Sequence, residues 1–277
     1  MVSSVEIIIL ITIIFYLLST VGYIAYLFWQ KNYLQQTGYY LLAAGFLLHT
    51  MAIAYGFIQS GHIPVKNLFE TLSMACWAIA GVFLLLQYKF KLKILGIYAA
   101  PLLTIVMALA SRLPKEPVQV ENIYNNLWFI VHIIAVFIGE ASFALACGVG
   151  FLYIVQEHAI KTKHHGFFFR RLPSLELLDS TGYGCIIAGF TMLSLGLVTG
   201  FVYAKSVWGK FWSWDPKEVW AGITWLLYAA LLHQRLIAGW RGRRAAVMAI
   251  IGFAAVLFTF FGVNFLLKGH HGEFTRW

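Results

Sequence analysis

The segment Val5–Trp29, VEIIILITIIFYLLSTVGYIAYLFW, decides the class of fold because it is a long apolar run with a single charged residue, Glu6. Its 25 residues exceed the roughly 20 that cross the hydrocarbon core of a bilayer as a helix. The apolar core of a cleaved signal peptide is shorter and follows a positive charge, and neither property is present here. We therefore expect a membrane-spanning helix that is retained.

The composition of the whole chain agrees with this expectation. Hydrophobic residues make up 61% of the 277 residues and charged residues 11%, whereas soluble domains carry about 25% charged residues. Such a chain cannot supply the polar surface of a soluble enzyme, and it is too apolar to be disordered. The formal net charge of +9 comes from short basic clusters between apolar runs, which is typical of membrane topology rather than of nucleic-acid binding.

Eight apolar runs predict an all-α, polytopic integral membrane protein with a single membrane domain over residues 1–277. The predicted spans are residues 5–29, 38–58, 68–88, 92–110, 127–155, 181–203, 219–238 and 245–268. Pro101 interrupts the fourth run, and proline disfavours a helix interior. In the sixth run, Gly196 and Gly200 form a pair of small residues one turn apart, which predicts a close contact with another helix.

The distribution of basic residues predicts the orientation in the membrane. Connections after the first, third, fifth and seventh runs are rich in lysine and arginine, whereas the other connections and the tail have more balanced charge. The positive-inside rule places the basic connections in the cytoplasm or its equivalent, so both termini face outward. We expect a multi-pass protein of the bacterial inner membrane, and the topology is also compatible with a thylakoid membrane.

A tryptophan-rich segment on the predicted outer face, residues 204–220, differs from every other connection. Its centre, residues 208–220, reads WGKFWSWDPKEVW. Its tryptophans are Trp208, Trp212, Trp214 and Trp220. An interfacial belt explains scattered tryptophans but does not require this density or the interleaved glycine, lysines and acids. We interpret the segment as a platform for a flat, apolar ligand with hydrogen-bonding groups.

The end of the same segment has the pattern of a helix start. Asp215 suits the N-cap, the following proline suits the first helical position, and Glu218 suits the third position of a capping box. Asp215 and Glu218 are therefore candidates both for ligand binding and for helix capping.

A longer stretch around the segment carries a family resemblance. Residues 208–235, WGKFWSWDPKEVWAGITWLLYAALLHQR, resemble the WWD motif of the haem-handling proteins of cytochrome c biogenesis. Within that group the stretch is most similar to the CcsA (ResC) subunit of the system II cytochrome c synthase. The eight predicted spans and the placement of histidines extend the resemblance over the second half of the chain.

Histidines on the predicted outer face indicate iron ligation. His132 lies about one turn into the fifth run, and His270 and His271 follow the eighth. Neutral imidazole is a good ligand for haem iron, so two histidines flanking the tryptophan segment predict a bis-imidazole haem site. In the resembling family, one ligand precedes the motif and the other follows the last helix. The resemblance implies His132 and His271 in these roles and leaves His270 possible.

Three further ionisable residues lie within predicted spans, where such residues are functional candidates. The resemblance implies that His233, in the sequence LLHQR, is an iron ligand that receives haem from the cytoplasmic side, with a second ligand from a partner subunit. His49 is either a polar residue satisfied between helices or a second ligand on the haem path. We expect Glu140 to pair with a polar group along that path.

The resemblance implies that the chain moves haem b outward and presents it for thioether attachment to the CXXCH motif of apocytochrome c. The implied activity is that of a holocytochrome c synthase (haem lyase), together with a CcsB (ResB)-type membrane subunit and a thiol-reducing protein. We find no pattern for a side-chain nucleophile, so the chain would position its substrate. The alternative is a haem exporter or carrier without ligation activity. A permease for another flat substrate is a third interpretation.

Overall fold

The computed structural model describes residues 4–114, 126–163, 166–167 and 169–263, and the regular secondary structure in these ranges is helical. The α-helices are α1 (Ser4–Trp29), α2 (Asn32–Ser60), α3 (Leu68–Phe90), α4 (Gly96–Ala110), α5 (Leu127–Lys161), α6 (Leu175–Trp208), α7 (Pro216–Ile237) and α8 (Arg243–Leu257). A 3₁₀ turn, Lys93–Leu95, precedes α4, and a π-helical turn, Phe258–Gly262, follows α8. The predicted all-α fold is confirmed.

Within the described residues, seven helical segments are long and apolar enough to cross a membrane, so the chain is a multi-pass membrane protein. They are α1, α2, α3, Lys93–Ala110, α5, α6 and Arg243–Gly262. The remaining predicted span forms α7, whose 22 residues extend about 33 Å at the helical rise. α7 is less apolar because it carries Lys217, Glu218 and Arg235. Its crossing of the membrane and the outward orientation of both termini stay predictions.

α6 is longer at both ends than the apolar run that predicted it. Its first turn is capped by Ser174, whose hydroxyl accepts a hydrogen bond from the Leu177 N–H at 3.3 Å. The predicted run stops where charged residues begin, near Asp179 and Lys205, but helical backbone geometry continues through both. Hydropathy locates the apolar part of a helix rather than its ends.

The chain divides into two compact units. The first holds α1–α4, and the second holds α5–α8. The tryptophan segment, His132 and His233 belong to the second unit, whereas His49 belongs to the first. The prediction of a single membrane domain stays a prediction.

Polar side chains on one face of α1 are buried within the first unit. The Tyr16 hydroxyl lies 3.1 Å from His49 Nδ1, and His49 Nε2 lies 2.8 Å from Ser73 Oγ. Two turns further along α1, the Tyr23 hydroxyl donates to Gln87 Oε1 at 2.8 Å. Buried polar groups in a membrane protein need internal partners, because lipid offers none. These bonds satisfy the polar groups and link α1 to α2 and α3.

Glycines bring α5 and α6 into close contact in the second unit. A Cβ added at Gly196 would lie 2.7 Å from Val136 Cγ2, and one added at Gly200 would lie 2.8 Å from His132 Nδ1. Both distances are shorter than real carbon contacts, so the spacing of the two helices requires glycine at these positions. The predicted close contact of Gly196 and Gly200 with another helix is confirmed.

Aromatic residues attach α7 to the pair formed by α5 and α6. The rings of Phe143 on α5 and Tyr228 on α7 are stacked with centroids 3.5 Å apart. The Trp225 indole N–H donates to Ser194 Oγ on α6 at 2.8 Å. These contacts combine a large buried apolar area with a directional bond, which fixes one face of α7 towards its neighbours.

Asp179, Arg235 and Gly242 form a polar clamp between the start of α6 and the end of α7. The Arg235 guanidinium donates to both oxygens of Asp179, at 3.0 and 2.6 Å, and the Gly242 N–H donates to Asp179 Oδ1 at 2.8 Å. Arg235 also lies 4.2 Å above the centroid of the Tyr183 ring. Because a bidentate pair fixes orientation as well as distance, the clamp sets the rotation of α7 next to His233.

We expect Asp179→Asn to lower the free energy of unfolding by about 2 kcal/mol, because it leaves the Arg235 guanidinium, which is largely buried, without a charged partner. Lys161→Gln is the control, since it removes only an exposed ion pair with Glu157 and should cost less than about 0.5 kcal/mol. Thermal unfolding of the purified protein in detergent measures both. Equal stability of the two variants would contradict the structural role of the clamp.

Candidate functional site

The tryptophan segment begins inside α6 and ends inside α7. α6 ends at Trp208, where Gly209 adopts the left-handed conformation with φ 72° and its N–H donates to the Lys205 carbonyl. α7 begins at Pro216, so residues 209–215 form the connection. The segment predicted at residues 204–220 thus includes the last turn of α6 and the first turn of α7.

A capping box holds the start of α7, as the sequence predicts. Asp215 is buried, and its carboxylate accepts the Lys217 backbone N–H at 2.9 Å. The Glu218 carboxylate accepts the backbone N–H of Ser213 at 2.8 Å and that of Asp215 at 3.3 Å. It also accepts the Ser213 hydroxyl at 3.0 Å. Both acids therefore have a structural role, and their role in binding a ligand stays a prediction.

Two of the four tryptophans pack against helices at the edges of the connection. Trp208 contacts Tyr203 edge-on, with ring centroids 6.3 Å apart. Trp220 lies tilted against Phe258, in the π-helical turn, at 4.3 Å. These contacts fix the two rings to the helical framework, so the segment is anchored at both ends.

The other two tryptophans lie in the connection itself. Trp214 is 78% exposed, and its φ of 60° is in the left-handed region, which costs an L-residue roughly 1–2 kcal/mol. Trp212 lies edge to face with Trp214 at 5.8 Å and with Phe201 at 5.7 Å. Strained backbone at an exposed aromatic residue is typical of functional sites. The connection thus directs the Trp214 ring away from the helices.

His132 lies in the second turn of α5 and is oriented by α6. Its Nδ1 lies 2.7 Å from the carbonyl oxygen of Gly196. Because a carbonyl oxygen can only accept, Nδ1 carries the proton, and the lone pair of the neutral ring is on Nε2. Histidines that bind metals commonly have their other ring nitrogen fixed by a carbonyl in this way.

Aromatic contacts connect the start of α5 to the tryptophan segment. Phe129 lies one turn before His132, and its ring contacts Tyr203 with centroids 5.0 Å apart. Tyr203 in turn contacts Trp208. The structure therefore brings His132 to the end of the second unit at which the tryptophan segment lies.

The predicted ligands His270 and His271 lie outside the described residues, which end at Val263. The last turn before that point, Phe258–Gly262, contacts the start of α7 through Phe258 and Trp220. The identity of the second outer ligand stays a prediction.

His233 lies on the exposed face of α7, one turn before the helix ends at Ile237. The apolar residues along the same exposed stripe are Ile223, Leu226 and Ile237. α7 covers Pro216–Ile237, whereas the predicted run covers residues 219–238, so the position of His233 near the end of the helix is almost the predicted one. In a helix that spans the membrane, as α7 is predicted to do, an ionisable side chain on an exposed apolar stripe is costly and is usually met by a partner group.

His49 belongs to the first unit and is completely buried. Its two ring nitrogens are both engaged, one with the Tyr16 hydroxyl and the other with the Ser73 hydroxyl. This geometry favours the interpretation of His49 as a polar residue satisfied between helices over its interpretation as an iron ligand.

Glu140 lies on α5 and is half-buried within the second unit. Its charge acts on that of Lys217, which lies in the first turn of α7. The pairing of Glu140 with a polar group along the haem path stays a prediction.

Two residues that shape the site were missed by sequence reasoning. The Gly196 carbonyl orients His132, and Ser213 supplies two donors to Glu218. The spacing of Gly196 and Gly200 predicts a close helix contact. It does not indicate that the Gly196 carbonyl accepts a hydrogen bond from His132. Ser213 has no signal of its own in the sequence.

Comparison with known proteins assigns the chain to a family. A model of the family described as Cytochrome C assembly protein matches residues 65–271. The chain is 33% identical over 241 residues to the cytochrome c biogenesis protein CcsA of Guillardia theta, with 80% of each chain covered. It is 35% identical over 248 residues to that of Prochlorococcus marinus (strain MIT 9515), covering 81% of this chain and 80% of the relative. It is 30% identical over 277 residues to that of Mesostigma viride, with 90% of each covered.

A solved structure shares the fold. The cytochrome c haem lyase CcmF matches with a TM-score of 0.65 and 16% sequence identity, covering 98% of this chain and 48% of that one. The chain thus spans about half the length of CcmF, and the likeness concerns the fold. The family model and the relatives place this multi-pass membrane protein in cytochrome c maturation. The chain belongs to the CcsA family of cytochrome c assembly proteins.

We expect Glu218→Ala to destabilise the first turn of α7 by about 1 kcal/mol, because it removes the acceptor for Ser213 and for the Asp215 N–H. Glu218→Gln keeps an acceptor oxygen and should destabilise the same turn by only about 0.3 kcal/mol. Amide hydrogen exchange of residues 213–219 measures the difference. Equal exchange rates in the two variants would show that the charge of Glu218, rather than its capping bonds, is what matters.

Proposed function

We propose that this chain is the membrane subunit of a system II cytochrome c synthase, which transports haem b to the outer face and presents it for attachment to apocytochrome c. The observation that carries the proposal is the orientation of His132. The Gly196 carbonyl accepts the Nδ1 proton at 2.7 Å, so the lone pair of the neutral ring is on Nε2, the nitrogen that would bind iron. Membership of the CcsA family supports the same role.

The tryptophan segment would supply the flat apolar surface that a porphyrin needs. The exposed Trp214 ring and its neighbour Trp212 lie in the connection, while Trp208 and Trp220 anchor its two ends. Aromatic rings stack well on other flat π-systems. The capping box orders the connection before haem arrives, which reduces the entropy cost of binding.

His271 is the proposed second ligand on the outer face because of its position after the last helix, and His270 is the alternative. Two neutral imidazoles would occupy both axial positions of the iron. Such ligation leaves no open coordination position, so the site would hold haem in a fixed orientation and would not activate a small molecule at the iron.

His233 is the proposed ligand at the opposite end of α7, where haem would enter. Its exposure on an apolar stripe supports a second ligand from outside this chain, and a CcsB-type partner subunit is the proposed source. The clamp of Asp179, Arg235 and Gly242 would keep His233 directed towards that partner.

The proposed chemistry requires this chain to hold and orient its substrates. A cysteine thiolate of the CXXCH motif adds to a vinyl carbon of haem, a proton completes the thioether, and no group leaves. The described cysteines of this chain, Cys76, Cys147 and Cys185, lie within helices and not in the tryptophan segment. The nucleophile is therefore the substrate's own thiol, which a thiol-reducing protein would keep reduced.

An absorption spectrum of the purified protein, with and without its CcsB-type partner, tests the proposal. We expect a reduced low-spin haem spectrum that fades or shifts in His132→Gly and in His271→Gly, because each loses one axial ligand. Added imidazole should restore the bands of both variants. His158→Gly is the matched control, since His158 is exposed in the last turn of α5 and should leave the spectrum unchanged.

The possible outcomes separate the candidate functions. If no haem co-purifies, even with the partner and ample haem, the proposal is wrong and a permease for another flat substrate becomes the better interpretation. If haem binds but no thioether forms on a CXXCH apocytochrome in a reconstituted system, the chain is a haem exporter or carrier.

We also expect Gly200→Ala to reduce bound low-spin haem by about tenfold, because the new methyl group would lie 2.8 Å from His132 Nδ1 and displace the ring. Gly182→Ala on the same helix is the control, since its methyl group would meet only Val149 Cγ1 at 3.4 Å. Haem content per protein measures both variants. A normal haem content in Gly200→Ala would argue against His132 as the ligand.

A further inference from the structure

The end of α8 widens into the π-helical turn Phe258–Gly262, which packs against the start of α7. In this turn the Val263 N–H donates to the Phe258 carbonyl, five residues back, whereas an α-helical bond reaches four residues back. Turns of this kind are rare and occur frequently at functional sites. The contacts of the turn therefore indicate what it does.

Thr259 links the π-helical turn to α7 through a buried hydroxyl group. Its Oγ1 lies 2.9 Å from the Ala255 carbonyl oxygen and 3.4 Å from that of Trp220. It also lies 3.2 Å from Thr224 Oγ1 on α7. Because a hydroxyl group has one proton, Thr259 donates to the nearer carbonyl and accepts from Thr224. Both threonines are buried, so the loss of one hydroxyl leaves the other without this partner in an apolar interior.

The Phe258 ring provides an apolar contact between the same two helices. It lies tilted against Trp220, with ring centroids 4.3 Å apart. A Cβ added at Gly262 would lie 2.6 Å from Phe258 Cδ2, so glycine leaves the space that the ring occupies. We call the five residues Trp220, Thr224, Phe258, Thr259 and Gly262 the α7–α8 joint.

The α7–α8 joint connects the tryptophan segment to the start of the tail. Trp220 is the last residue of the segment, and the capping box fixes the first turn of α7 to the connection before it. The tail that contains His270 and His271 begins just after Gly262. The joint therefore sets the point from which the chain leads to the proposed second ligand.

We propose that Thr259 is a positioning residue for the second outer iron ligand. Its bond with Thr224 holds the start of the tail next to the tryptophan segment, from which His271, or His270 in its place, reaches the iron. The inference rests on the proposed haem-presenting function and adds to it the residue that fixes the starting point of that ligand. A fixed starting point reduces the conformational entropy lost when the tail histidine binds, which favours six-coordinate over five-coordinate iron.

Absorption spectra of the ferric protein test the inference through the ratio of five-coordinate, high-spin haem to six-coordinate, low-spin haem. Thr259→Val keeps the shape of the side chain and removes the hydroxyl. It should raise this ratio by about fivefold, and added imidazole should reverse the change. Thr259→Ser keeps the hydroxyl and should retain the low-spin spectrum.

A second variant removes the partner hydroxyl. Thr224→Val should raise the high-spin ratio as Thr259→Val does, because either change removes the same interhelical bond. The double variant should be no worse than either single variant, since the two residues act as a pair. Thr12→Val is the matched control, because Thr12 is buried and its hydroxyl bonds the Ile8 carbonyl of its own helix. It should leave the ratio unchanged.

A background without tail histidines distinguishes positioning from a general loss of structure. In protein that carries both His270→Gly and His271→Gly and is saturated with imidazole, Thr259→Val should have no effect on the spectrum. In the haem-free protein, Thr259→Val should speed amide hydrogen exchange of residues 258–263, because the joint is loosened.

The outcomes separate the inference from the proposed function. An unchanged high-spin ratio in both Thr259→Val and Thr224→Val would overturn the inference and leave the proposed function intact. A spectral change that persists in the background without tail histidines would do the same. Wild-type protein without low-spin haem would overturn the proposed function itself.

Discussion

The close contact of α5 with α6 at Gly196 and Gly200 is the constraint on which the functional end of the second unit depends. A Cβ at Gly196 would lie 2.7 Å from the Val136 side chain and one at Gly200 would lie 2.8 Å from the His132 ring, so glycine permits the present spacing of the two helices. At this spacing the Gly196 carbonyl lies 2.7 Å from His132 Nδ1. This single helix contact therefore sets the spacing of α5 and α6 and the orientation of the His132 imidazole. It also determines which ring nitrogen carries the lone pair. The tryptophan segment continues directly from α6, so its position follows from the same contact.

α7 gives the second unit two chemically different faces and two fixed ends. The capping box of Asp215 and Glu218 holds its start, and the clamp between Arg235 and Asp179 holds its end. Between them, the inward face packs on Phe143, while the other presents His233 among apolar residues. A helix fixed at both ends cannot rotate freely, so His233 stays on its exposed face.

The sequence predicts the features that depend on local patterns. Apolar runs located the eight α-helices of the described residues, and the order of Asp215, proline and Glu218 predicted the start of α7, because both signals are local in the sequence. The ends of α6 were wrong by more than a turn, since hydropathy stops at Asp179 and Lys205 while the helix does not. The two interpretations of His49 could not be separated from sequence, because its partners Tyr16 and Ser73 come from other helices. The clamp was missed for the same reason, since its two side chains are 56 residues apart.

The central claim is that the α5–α6 contact creates an iron ligand at His132. Pulsed electron paramagnetic resonance of the ferric protein, produced with ¹⁵N-labelled histidine, counts the imidazole nitrogens bound to iron. The account predicts two coupled imidazoles in the wild type and one in His132→Gly, with the second restored by unlabelled imidazole from solution. Two labelled imidazoles that persist in His132→Gly would contradict it.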